Sequence, residues 1–168
     1  MLPRVALFLA VVLLSGCGGD PAARYEAAHA AFDAASTGAD YDAVLGDLGE
    51  LRGEIASAGE VDKALDFQVA YLEVRCRGRK GDASASEAIA KLETDWPKEM
   101  AQIGRYLELC QDLVQGKQAV AAAELLGRCG ERFPAEKEKL EKMATSIARL
   151  GDTKANEALR GLGYLGGG

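Results

Sequence analysis

The chain has 168 residues, 27% charged and 48% hydrophobic, with 20 basic against 26 acidic side chains and four cysteines. That length suits one domain with a continuous core and is short for two. A single long apolar run, Val5–Leu14, excludes a polytopic membrane protein, the few cysteines exclude a dense disulfide scaffold, and the acidic balance argues against nucleic-acid binding.

Residues 1–16 read as a removable signal: Arg4 supplies a short positive region and Val5–Leu14 an apolar run of ten residues. A spanning helix needs about 20 residues, so the run is a signal and not an anchor. It closes on Leu14-Ser15-Gly16-Cys17, an aliphatic residue, two small residues and a cysteine. This segment resembles the lipobox of bacterial lipoproteins. The resemblance implies cleavage before Cys17, a diacylglycerol thioether on its sulfur and acylation of the new amine, the palmitate-type anchoring of that family. Two or three acyl chains hold a protein stably, at about 0.8 kcal/mol per buried methylene. In the same family an aspartate directly after the cysteine favours the inner membrane. Gly18 and Gly19 follow here, which points to the outer membrane, facing the periplasm. An ordinary secretory signal with a chance cysteine is the plainer alternative, and export follows in either case. Residues 17–21 form the lipidated cysteine and a tether reaching at most about 14 Å.

Residues 22–163 read as helix throughout, with apolar side chains at three- and four-residue spacing. The stripes begin with Tyr25, Ala28, His29, Phe32 and Ala35, then Tyr41, Val44, Leu48, Leu51 and Ile55. The third helix carries two stripes, Leu65-Val69-Leu72-Cys76 and Ala64-Phe67-Tyr71-Val74, and is predicted to be buried on more than one side. Five more follow, around Ile89, Leu107, Leu126, Ile147 and Leu159. Pro21 after Asp20 fits a capped helix start, Asp40 is a cap candidate for the second helix, and Ser84 with Glu87 fits a capping box. Pro97 and Pro134 are placed at helix starts. Residues 164–168 form a flexible glycine-rich tail.

An internal repeat is visible. Tyr71-Leu72-Glu73 recurs as Tyr106-Leu107-Glu108, 35 residues later; Gly81, Gly116 and Gly151 keep the same step, and Trp96-Pro97 recurs as Phe133-Pro134. With Pro134 as the closing proline, Ala122, Leu126 and Cys129 fill a small-large-small pattern; with Pro97, Ala85, Ile89 and Leu92 stand there. Over residues 60–150 this pattern resembles the tetratricopeptide repeat, whose leucine is matched by Leu72 and Leu109. Tyr106, Cys110 and Leu113 stand where Trp, Gly and Tyr are typical. The resemblance implies an all-α fold of antiparallel helix pairs stacked as a short solenoid, with a concave groove for peptides or partner proteins. An irregular helical bundle is the alternative.

Candidate chemistry is sparse. Cys76, Cys110 and Cys129 sit on apolar stripes and read as small core residues. If a bridge forms, Cys76 and Cys110, 34 residues apart, are the favoured pair. His29 is the one histidine and reads as structural. Arg75, Arg77, Arg79 and Lys80 form the one basic cluster. It either complements the C-terminal end of its helix or contacts an anionic partner such as lipid headgroups, a cell-wall polymer or an acidic protein. No catalytic residues, cofactor or metal ligands are expected: the chain lacks a nucleophile–base pair, a phosphate loop and metal-ligand motifs. The leading expectation is a non-enzymatic envelope lipoprotein, anchored in the membrane through Cys17, serving as an adaptor or assembly factor for an envelope protein. The alternative is a small-ligand or metal-binding helical bundle.

Overall fold

A computed structural model describes residues 19–58 and 62–166. The expected signal peptide and Cys17 lie outside the described residues. Among the described residues the fold is all-helical: α1 (Pro21–Ala34), α2 (Gly38–Ser57), α3 (Lys63–Lys80), α4 (Ala85–Asp95), α5 (Ile103–Gln115), α6 (Ala119–Arg132), α7 (Lys137–Ala148) and α8 (Thr153–Gly161), with a 3-10 turn at Pro134–Glu136.

Consecutive helices pair antiparallel. Arg24 at the start of α1 meets Glu54 near the end of α2. Phe67 near the start of α3 packs on Trp96 just past α4, with ring centroids 5.6 Å apart. Arg132 at the end of α6 donates to the carbonyl of Pro97 at 3.0 Å. Beyond the pairs, α1 packs on α3, α3 on α5 and α5 on α7.

The two stripes of α3 explain this layering. Leu65, Val69, Leu72 and Cys76 join α1 and α2 in one core cluster around Phe32, Leu48 and Leu51. Phe67, Ala70 and Val74 join a second cluster that runs through α4, α5, α6, α7 and α8. Each fully buried leucine or phenylalanine contributes roughly 1.5–3 kcal/mol through the apolar surface it removes from water. One helix is therefore the shared wall of both cores.

The repeat has a physical counterpart. Phe67 and Trp96 form one aromatic pair and Tyr106 and Phe133 another, both at 5.6 Å. An arginine covers each: Arg105 of the following pair lies 4.5 Å from the Phe67 ring centre, and Arg132 of the same pair 5.7 Å from that of Tyr106. The closing aromatic thus folds back onto the first helix of its own unit, and a guanidinium seals it.

Helix ends follow short-range polar chemistry, with three differences from the sequence reading. Asp20 accepts from the Ala22 amide at 3.1 Å, ahead of Pro21. The second helix starts earlier than expected: Thr37 is its cap, and Asp40 sits inside the first turn and bonds back to the Thr37 amide at 2.8 Å. Ser84 makes no capping bond, because its amide and hydroxyl both donate to Asp82 at 2.8 Å. Pro97 opens a turn rather than a helix, whereas Pro134 opens the 3-10 turn.

At the turn end of the stack, α3 and α5 approach closely through glycine. Gly81 is left-handed (φ 78°), and a Cβ on it would stand 2.9 Å from the Gly116 carbonyl oxygen. A Cβ on Gly116 would overlap the carbonyl oxygen of Gly78. After Gly161 the chain leaves the helix, and Tyr164 and Leu165 lie half-buried against the second cluster.

Candidate functional site

The basic cluster separates onto different faces of α3, as a step of about 100° per residue requires. Arg75 and Arg79, four apart, face α5, where the Nε of each donates to one oxygen of Asp112 at 2.7 Å. Asp112 is 1% exposed and is the one buried charged residue among those described. The same two guanidiniums lie over the Phe32 ring of α1, at 4.9 and 4.1 Å from its centre. Burial works against the charge of Arg75, but its bond to Asp112 and that carboxylate's charge outweigh it and raise its pKa. Beside it the Tyr71 hydroxyl donates to Glu108 at 2.9 Å, and burial together with that carboxylate pushes the phenol strongly upward. Lys80 reaches Asp42 on α2. Arg77 points to the other side, 3.7 Å from Asp82 and bonded to the Ser84 hydroxyl at 3.1 Å. All four cations of the cluster therefore have partners within the chain.

Arg77 opens onto a concavity walled by three helices, a groove of about 300 Å³. Its floor is the face of α3 bearing Ala70, Glu73, Val74 and Arg77; α2 contributes Arg52, and α4 forms a long wall ending at Trp96. Val74 and Leu92 are buried beneath it, and Trp96 is half-buried at one end. Glu73 is bonded to Arg52 at 3.0 Å, yet desolvation outweighs that arginine and raises its carboxyl pKa. Glu87, Lys91 and Asp95 stand along the α4 wall. All three are exposed, and among the described residues none makes an ion pair within 4.0 Å.

Among the described residues the three cysteines, Cys76, Cys110 and Cys129, are buried free thiols. Cys76 belongs to the first core cluster, and Cys110 and Cys129 to the second, each as a free thiol. Burial pushes Cys76 up to about 12 and Cys129 up to about 11, and raises Cys110 as well. A thiol held neutral in this way is a poor nucleophile. His29 is half-buried, edge-on to Tyr25 and Phe32, and its Nδ1 lies 3.2 Å from Asp33. Among the described residues no three His, Cys, Asp or Glu side chains are grouped to hold a metal ion, and no helix is long and apolar enough to cross a membrane.

A scan of the chain against protein-family models and searches against curated proteins and solved structures find no match.

Two features escaped the sequence reading. Asp112 lies on an otherwise apolar helix face, and the hint was its distance of 37 and 33 residues from Arg75 and Arg79, about one repeat. The groove arises from how α2 and α4 flank α3, which periodicity within a helix does not encode.

Proposed function

We propose that this chain is a membrane-anchored envelope lipoprotein that acts as a protein-interaction adaptor or assembly factor, holding a segment of its partner in the groove between α2 and α4. The observation that carries this reading is the groove itself. Its floor sets Ala70 and Val74 beside the paired Glu73 and Arg77, and its wall carries the unpaired Glu87, Lys91 and Asp95 with Trp96 at one end, a pattern of charge that gives an interaction site register. The packing of α1, α3, α5 and α7 on one another supports a tetratricopeptide-like stacking of the pairs. The lipobox-like segment ending at Cys17 supports the anchor, and Gly18 and Gly19 support the outer membrane.

The test is photo-crosslinking in intact cells. A photoreactive amino acid replaces Lys91 on the groove wall, or Lys154, an exposed residue of α8, as control. The expected result is a discrete protein adduct from position 91 alone, lost when Cys17→Ala releases the protein from the membrane fraction. Equal labelling from both positions, or none from position 91 in a correctly lipidated protein, would overturn the reading.

A further inference from the structure

The charges of the groove fall into two classes. Arg52 and Arg77 are engaged with Glu73, Asp66, Asp82 and Ser84. Glu87, Lys91 and Asp95 are not, which leaves two carboxylates and one ammonium facing outward. They follow each other at four-residue steps on α4, about 6 Å apiece, so the two carboxylates lie roughly 12 Å apart.

The C-terminal end of α4 adds to this field. Its last turn carries no basic residue, and Asp95 is its final residue. The partial negative charge of a helix C-terminus and an aspartate there repel one another, and a cation placed beside them relieves it. Trp96 stands next to Asp95, and an indole face attracts a cation further. Between the carboxylates Lys91 stands on the same wall, and beside it the half-buried Ala88 and the buried Ala70, Val74 and Leu92 complete the lining.

Size limits the shape of the occupant. A volume of about 300 Å³ admits a few side chains, whereas a helix with its side chains is about 10 Å across. An extended strand advances about 3.3 Å per residue and sends alternate side chains to the same face. Two cations roughly 12 Å apart are then four residues apart, with the residue midway between them pointing the same way.

From this we infer that the groove takes an extended segment of a partner protein with the pattern basic-x-apolar-x-basic, one cation seated at Asp95 and Trp96 and the other at Glu87. The inference rests on the reading of the groove as the partner site and specifies the chemistry of that partner.

Trp96 is the single tryptophan of the chain, so its fluorescence reports on the groove directly. The lipidated full-length protein in non-ionic detergent is titrated with three capped pentapeptides: Lys-Ala-Leu-Ala-Lys, Glu-Ala-Leu-Ala-Glu and Lys-Ala-Ser-Ala-Lys. The expected result is a saturable change with the first, weakening with added salt, and at least tenfold weaker binding of the other two. Glu87→Gln combined with Asp95→Asn, both exposed positions, is expected to lose at least tenfold affinity while its circular-dichroism melt is unchanged. No saturable change, equal affinity for the lysine and glutamate peptides, or full affinity in the double variant would overturn the inference. If any of these occurs while position 91 still crosslinks a partner in cells, the adaptor reading stands and only the basic-apolar-basic assignment falls.

Discussion

The Nε of Arg79 donates to Oδ1 of Asp112 at 2.7 Å, joining the second helix pair to the third inside the protein. Arg75 takes the other oxygen, and both guanidiniums lie over Phe32 of the first pair. One carboxylate thereby ties three successive pairs together. Asp112→Ala leaves two half-buried guanidiniums without their counter-charge, and removal of one member of a buried charge pair costs about 3–5 kcal/mol. Arg79→Leu leaves Asp112 bonded to Arg75 and is expected to cost less, about 1.5–3 kcal/mol. Urea unfolding followed by circular dichroism checks the order of the two variants, and a smaller loss for Asp112→Ala would refute it.

The glycines at the turn ends are not equivalent. Gly81 and Gly151 are both left-handed, at φ 78° and 74°, but a Cβ on Gly151 meets open space while one on Gly81 meets the Gly116 carbonyl. Gly151→Ala is expected to cost only the left-handed penalty, roughly 1–2 kcal/mol. Gly81→Ala adds the clash, and Gly116→Ala, at ordinary φ, suffers overlap alone, each bringing about 1–3 kcal/mol of overpacking. Melting temperature should fall least for Gly151→Ala and further for both Gly81→Ala and Gly116→Ala, and equal losses at Gly81 and Gly151 would contradict the close approach of α3 and α5.

The fold was legible in the sequence where a pattern repeats within a helix. The two stripes of α3 foretold its two-sided burial because each is set by the helical period alone. The 35-residue step between Gly81, Gly116 and Gly151 foretold the turns, although Gly116 is not itself left-handed and Lys117 takes that conformation at φ 60°. What failed depended on a neighbour in space. Thr37 and Asp40 both suit a cap, and only the hydrogen bonds show which residue leads. Ser84 is drawn away from its capping role by Asp82. Met100, 0% exposed, sits in a turn where no period applies. The basic cluster looked like one surface because its members are close in sequence, whereas the helix sends Arg77 away from Arg75 and Arg79.

Burial of the thiols sets a pH dependence. Cys76 and Cys129 keep their protons to about 12 and about 11 in the folded chain, against 9.0 for a free thiol. Their folded values are raised, so their contribution to stability is complete below about pH 9 and is lost as pH rises through 11 to 12. Stability is expected to fall steadily above pH 9, and Cys76→Ala combined with Cys129→Ala should flatten that slope. At neutral pH a thiol reagent should modify Cys76, Cys110 and Cys129 only at the rate of unfolding. Rapid labelling of folded protein would contradict their burial.

The segment after α8 packs against α6. Leu162 lies against Gly127, where an added Cβ would stand 3.3 Å from it, and a Cβ on Gly130 would overlap the Tyr164 hydroxyl. Truncation after Gly161 uncovers this surface of α6 and is expected to cost roughly 1–3 kcal/mol, the value of a buried apolar side chain or less for two half-buried ones. Gly130→Ala should reproduce part of that loss in the full chain and none in the truncated one. Thermal melts of the four proteins form a cycle, and a similar loss from Gly130→Ala in both backgrounds would sink the idea.

The double membership of α3 also governs the order in which the fold can close. A chain emerging from its N-terminus has α1 and α2 available early, but Leu48 and Leu51 find their cover only once α3 follows with Leu65, Val69 and Leu72. As soon as α3 docks, it presents Phe67, Ala70 and Val74, still bare, to whatever comes next, and these wait for α4, α5 and α6. Each step of assembly creates the sticky surface that the next one hides. A half-built chain that pauses between these steps therefore needs an escort or speed.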